Sequence, residues 1–193
     1  MNRIATTAVA LLFAVSTLAQ SGSTSAPPAA AAAPASPSAL EAPASCGPVA
    51  QSFQVALAKS KAPAPAAVPG KAVVYFIQDD RFNSAHHPYP IVKWAVDGSW
   101  IGATRHKAYF RATLDPGDYH LCASWQVPPS VSQKLIFGVA ILHAKASRIY
   151  YFRAENLYSP QLAFATLNLT PIPSGEGAAI YAQSGTSVFT PKN

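Results

Sequence analysis

The chain has 193 residues, 14 of them Lys or Arg and 8 Asp or Glu, for a formal net charge of +6 with only 11% charged and 50% hydrophobic residues. That length suits one domain with a real core, since single domains run to about 100–200 residues. The basic side chains fall singly, not in a stripe interleaved with aromatics, which argues against nucleic-acid binding, and so few acids leave little for paired-carboxylate chemistry.

The opening MNRIATTAVALLFAVSTLAQ carries Arg3, then an apolar run from Ala8 to Val15 that is too short to span a bilayer. Thr17-Leu18-Ala19 puts small residues where a signal peptidase reads, so residues 1–19 are expected to be a signal peptide. The mature chain is then exported, periplasmic or extracellular, with no integral membrane segment left after cleavage. Residues 20–45 are almost all Ala, Pro and Ser, offer little to bury, and are expected to be a disordered linker. Residues 46–193 are expected to form a single domain. Cys46 and Cys122 are the two cysteines of the chain, and in an exported protein pairing is the default with one connectivity available. In the chain-entropy picture, closing so long a loop contributes about 4 kcal/mol.

From Phe53 onward the apolar residues alternate with period two in short runs broken by Gly, Pro, Asp and Asn, which reads as strands. The runs are Phe53–Ala58, Lys71–Gln78, Ile91–Val96, Trp100–Thr104, Ala108–Leu114, Tyr119–Trp125, Lys134–His143, Arg148–Ala154 and Leu162–Leu169. Between Lys59 and Gly70, KSKAPAPAAVPG is too rich in proline for a ladder and reads as an extended crossing. Val73 to Ile77 is apolar without alternation, as in a central strand covered on both faces. Asp97-Gly98 signals a type I′ hairpin pairing Val96 with Ser99, Ala95 with Trp100 and Trp94 with Ile101; Val92, Trp94, Val96 and Ile101 then face the core and Trp100 faces away. Pro116-Gly117 signals a second hairpin, pairing Leu114 with Tyr119, Ala112 with Leu121 and Phe110 with Ala123. His120 and Cys122 then point outward beside Thr113 and Arg111, and a Cys46–Cys122 bond clamps the segment after the linker across the outside of the sheet. Tyr150-Tyr151-Phe152 straddles both faces of a central strand. Ser174–Gln183 is the one helical stretch, with Ser174 as cap and Glu176 at the positive end. The fold class is therefore all-β: a β-sandwich, Ig-like or prealbumin-like, with one short C-terminal helix.

Candidate chemistry is sparse. His86, His87, His106, His120 and His143 show no metal-ligand spacing, and no nucleophile–histidine–carboxylate set stands out, so no catalytic, cofactor or metal residues are assigned. Exposed aromatics are the stronger signal. Trp100 falls off the core face, and Tyr89 and Tyr158, read as loop residues, could join it in stacking on a sugar or peptide. The competing reading puts Trp100 beneath the N-terminal segment or the C-terminal tail.

Several motifs in order, CGP at 46–48, GKAVVYFIQD at 70–79, VDGSWIGAT at 96–104, YF at 109–110, PGDYHLCASWQ at 116–126, YYFR at 150–153 and the late SGEG and PK, resemble exported bacterial proteins of the domain-of-unknown-function family twenty-eight forty-six. The resemblance spans Cys46 to Lys192 and implies a compact, mainly β extracytoplasmic domain with a Cys46–Cys122 pair, and no catalytic residues. Tyr119 stands where members of that family carry a second histidine. The Pro-Gly strand turn also looks like that of transthyretin-like and carboxypeptidase-regulatory sandwiches, an analogy of fold alone. The resulting expectation is a non-catalytic binding or structural protein of a bacterial envelope, without cofactor, whose partner is an unidentified envelope component, protein or glycan. The alternatives are a carbohydrate- or peptide-binding module built on Trp100, and a hydrolase or metal protein.

Overall fold

A computed structural model of the chain describes residues 43–59, 63–80, 90–126, 135–159 and 164–192. Among these residues the alternating stretches become ten strands, β1 (Ser52–Leu57), β2 (Ala72–Gln78), β3 (Ile91–Val96), β4 (Ser99–Arg105), β5 (Ala108–Leu114), β6 (Gly117–Gln126), β7 (Phe137–Ala144), β8 (Arg148–Ser159), β9 (Phe164–Ile172) and β10 (Gly185–Lys192), with one helix, α1 (Ser174–Gln183), before the last. They form two sheets, a six-stranded one in the order β1-β10-β5-β2-β8-β9 and a four-stranded one in the order β4-β3-β6-β7. The fold is an all-β sandwich with one short C-terminal helix.

The core lies between the sheets. Val74, Phe76, Phe110 and Phe152 come from the larger sheet and meet Val92, Trp94, Leu121 and Leu142 from the smaller. Phe76 stacks on Phe110 at 5.1 Å between ring centroids and meets Trp94 at 5.2 Å. β2 is buried at all seven positions, as its unbroken apolar run requires, because it lies between β5 and β8 and is covered on both faces. Its outward residues Val73, Tyr75 and Ile77 join Tyr109, Tyr151 and Tyr181 in a second cluster beneath α1. Tyr151 belongs to this outer cluster, while Tyr150 and Phe152 turn to the core.

The Asp97-Gly98 turn has positive φ at both residues, 45° and 78°, and pairs Val96 with Ser99 and Ala95 with Trp100 as expected. Beyond it a bulge admits Ile101, so Trp94 faces Gly102 instead of Ile101. Gly102 suits that place, since a Cβ there would stand 2.6 Å from the Phe110 ring.

The second expected hairpin does not form. β5 pairs with β2 and β10, and β6 with β3 and β7, so Asp115-Pro116 carries the chain from one sheet to the other. Phe110, Leu121 and Ala123 still share one core cluster, with Ala112, Leu114 and Tyr119 at its margin, because these strands face each other across the sandwich. Arg111 and Thr113 consequently lie on the opposite outer face from His120 and Cys122.

Three smaller corrections follow from pairing partners distant in sequence. β8 continues to Ser159 because β9 pairs with it from Tyr151 to Ser159, which puts Tyr158 in a strand opposite Ala165 and not in a loop. β10, unmarked by any clear alternation, is held by β1 along its length and by β5 at its start. Pro173, not Ser174, takes the helix cap position without a side-chain cap bond, and Glu176 in the first turn is held by Arg153 at 2.9 Å. The flanks of the sandwich are closed: the Ser187 hydroxyl donates to the Ala103 carbonyl at 2.7 Å on one side, and Gly138 approaches the Leu167 carbonyl on the other so closely that a Cβ would sit 2.6 Å from it.

Candidate functional site

The outer face of the four-stranded sheet carries the features that could act on a partner. Alternation along β6 sends Leu121 and Ala123 inward and Cys122 outward, where it bonds Cys46 with a Cα–Cα distance of 5.2 Å, ordinary for a disulfide. The chain from Pro43 to Phe53 is thereby strapped across this face. The Gly98 N–H donates to the Ser45 carbonyl at 3.1 Å, and the Trp100 indole N–H to the Pro48 carbonyl at 2.8 Å. The Lys93 ammonium donates to the carbonyls of Val49 and Gln51 at 3.2 and 2.9 Å. At the far end the Gln126 amide takes the Phe53 N–H and donates to the Phe53 carbonyl.

Trp100 is therefore part of the strap's seat. Cys46, Ala95 and Cys122 form a small cluster with its half-buried ring packed against them, and Gly47 comes so near the indole that a Cβ would fall 2.6 Å from it. The Lys93 ammonium lies 4.3 Å from the ring centroid, a cation–π contact. Burial lowers the Lys93 pKa from 10.5 to about 8. A ring held in this way is not an open stacking platform.

Beside the strap lies an uncovered apolar stripe. β7 presents Phe137, Val139 and Ile141 outward at 36%, 51% and 59% exposure, while Val49 of the strap, 50% exposed, lies over β3, where its carbonyl takes the Lys93 ammonium. The register sets Phe137 opposite Ser124, Val139 opposite Cys122 and Ile141 opposite His120, so the stripe runs along the disulfide. Four of the six large apolar side chains exposed among the described residues, the others being Leu57 and Val188, belong to this face. One end of the stripe is bounded by the His143–Asp118 and His120–Asp97 contacts at 2.7 and 3.5 Å. No nucleophile or acid–base set lies within it; what it offers is apolar contact.

A polar network occupies one end of the sandwich interior. The Trp94 indole donates to Thr104, whose hydroxyl donates to the Gln78 carbonyl oxygen, and the Gln78 amide donates to Asp80 Oδ2 at 2.7 Å. From the other side the Trp125 indole donates to Asn156, whose amide donates to Asp80 Oδ1. Each indole can only donate, which fixes both amides with their NH2 groups aimed at the one carboxyl. Burial is the dominant influence on Asp80 and raises its pKa from 3.8 to about 6, against the pull of the Asn156 and Gln78 hydrogen bonds. Both its oxygens are engaged by the protein, an arrangement suited to holding the two sheets together. An open recess of about 250 Å³ nearby is lined by Asp79, Lys107, Ile180, Gln183 and Ser184.

Of the residues singled out in the sequence, the structure unites Cys46, Cys122 and Trp100. Tyr89, His86 and His87 lie outside the described residues, as does the side chain of Tyr158. His106 occupies the β4–β5 turn with φ 61°; His120 and His143 lie on β6 and β7 beside Asp97 and Asp118. Among the described residues no group of three or more His, Cys, Asp or Glu is placed to hold a metal ion, and no helix is long and apolar enough to cross a membrane. Sequence reasoning passed over Lys93 and the β7 stripe, and weighed Asp80 only as an acid near His86-His87. The stripe did leave a signal: FGVAILHA places small Gly138 and Ala140 on the inward side and large residues outward, the reverse of the usual size pattern. No family model matches the chain, nor does any curated protein or solved structure.

Proposed function

We propose that this is an exported, non-catalytic interaction module that docks an apolar surface of another envelope component through the outer face of its four-stranded sheet. The observation that carries the reading is the stripe of Phe137, Val139 and Ile141, left open on β7 along the disulfide that holds the strap. Contiguous exposed apolar patches are uncommon on soluble monomers and mark interaction sites. Aliphatic side chains favour a protein partner over a glycan, since sugars are held chiefly on flat rings, and Phe137 is the one aromatic residue of the stripe. The net charge of +6 adds a general attraction to anionic envelope surfaces.

Photo-crosslinking in cells tests this. A crosslinking amino acid at Val139 or Ile141 is expected to give a discrete adduct, while the same group at Asn168, exposed on β9, gives none. Equal labelling from both positions, or no adduct from either β7 position, overturns the reading.

A further inference from the structure

Residues 63–68, Pro-Ala-Pro-Ala-Ala-Val, join no ladder, yet they are anchored to the outer face of the six-stranded sheet with a period of three. The Tyr181 hydroxyl donates to the Pro63 carbonyl, and three residues on, the Ala66 backbone is hydrogen-bonded to the Tyr75 hydroxyl. Burial repeats the spacing: Pro65 and Val68 are half-buried while Pro63, Ala64, Ala66 and Ala67 are exposed. Polyproline II has three residues per turn and no internal hydrogen bonds, so it leaves its backbone N–H and carbonyl groups free for such anchoring. Beneath lies a shelf of four tyrosines. Tyr75 from β2 stacks on Tyr151 from β8 at 5.2 Å and meets Tyr181 from α1 edge-on at 5.2 Å, and Tyr181 lies 4.4 Å from Tyr109 of β5. Aromatic-lined grooves hold Pro-rich chains of this conformation, and here two of the rings also bond the chain's backbone through their hydroxyls.

We infer that this tyrosine shelf is a reading site for polyproline-II chain, occupied here by the protein's own residues 63–68, and that its other ligand is the Pro/Ala-rich tether of a second copy. The tether sequence carries the required pattern: within APPAAAAAPASPS, residues 26–38, Pro34 and Pro37 repeat the three-residue interval of Pro65 and Val68. Every copy thus carries both a shelf and a second Pro/Ala segment of the same chemistry. The resident segment has the advantage of attachment, an effective concentration on the order of millimolar, so a free tether competes only weakly until the resident is loosened. This site lies on the opposite outer face from the β7 stripe, and its fate in experiment is independent of that one.

The probe is a synthetic peptide of residues 26–42, titrated into the full mature chain and read by amide chemical shifts. In a Pro63→Gly/Pro65→Gly variant, where the resident loses its preorganised backbone, the peptide is expected to shift resonances around Tyr75, Tyr109 and α1 with affinity at least about tenfold above that for the unaltered chain. Adding Tyr181→Phe to that variant is expected to weaken binding several-fold, and a peptide with every proline replaced by glycine is expected not to bind. A folded variant whose shelf resonances ignore the peptide, or that binds the glycine peptide equally well, overturns the inference. Amide exchange at Ala66 in the unaltered chain gives an independent reading: millimolar peptide speeds it if the two ligands compete, and an unchanged rate overturns the inference as surely.

Discussion

Asp80 is held by two hydrogen-bond chains that start at indole N–H groups in one sheet and end on its two oxygens. The cost of burying its charge outweighs those donors, and its pKa stands at about 6 in the fold against 3.8 for the free side chain. Between these values the folded chain binds more protons at Asp80 than the unfolded one, so this group's contribution to stability is greatest below pH 3.8, falls as pH rises toward 6, and is level above. The difference amounts to about 3 kcal/mol, because every tenfold change in proton affinity is worth about 1.4 kcal/mol. Urea unfolding of the wild type and of Asp80→Asn across pH 4 to 7 measures it. The variant sets an NH2 group against one of two facing NH2 donors, so it begins less stable at pH 4, and the gap is expected to narrow steadily by pH 7. A gap that does not change with pH contradicts the account. Lys93 behaves in the opposite sense: its pKa is lowered to about 8, so stability rises between pH 8 and 10.5, a rise that Lys93→Met is expected to abolish. Neither residue announced its environment in the sequence. Nothing around Asp80 in the sequence marks Asn156 as its partner, 76 positions along the chain.

The strap is a single element held in more than one way. The disulfide joins residues 76 apart, and removing it by Cys46→Ser with Cys122→Ser is expected to cost about 2–4 kcal/mol, read from the urea midpoint. Hydrogen bonds from Gly98, Trp100 and Lys93 remain, so the strap is expected to stay seated below the transition, with Trp100 fluorescence unchanged. Loss of the native Trp100 signal in folded reduced protein would show the sulfur bond alone holds the strap down. Gly47→Ala tests the seat from the other side. Its Cβ would meet the indole at 2.6 Å, so the strap must lift or the ring must turn, and a loss of about 1–3 kcal/mol is expected with the disulfide intact. At this scale much was legible: both cysteines, the Asp97-Gly98 turn and the outward face of Trp100 followed from residue type and alternation. The β5–β6 hairpin did not. Alternation reports which side of a strand meets the core, and Phe110 and Leu121 meet it whether their strands lie side by side or face to face.

Across the whole sandwich the same limit explains what the chain disclosed and what it withheld. Period-two patterning with one helical stretch was enough for an all-β sandwich, but strand order depends on partners brought together from distant segments, as with β10 between β1 and β5. The β7 strand shows the consequence for the candidate site, because its two faces meet opposite demands. Gly138 turns toward β9, where the Leu167 carbonyl and Leu169 N–H are backbone atoms that cannot swing aside. Gly138→Ala should therefore part the closed flank and cost about 1–3 kcal/mol or more. Val139 and Ile141 point the other way into solvent, and Val139→Lys with Ile141→Lys is expected to leave the unfolding midpoint within about 0.5 kcal/mol of the wild type. The same double variant is expected to eliminate crosslinking from a probe placed at Phe137, their neighbour on the stripe. Stability retained with association lost identifies a surface kept apolar for a partner. A large loss of stability would instead mean the stripe supports the fold itself, and an undiminished crosslink would mean that the partner docks elsewhere.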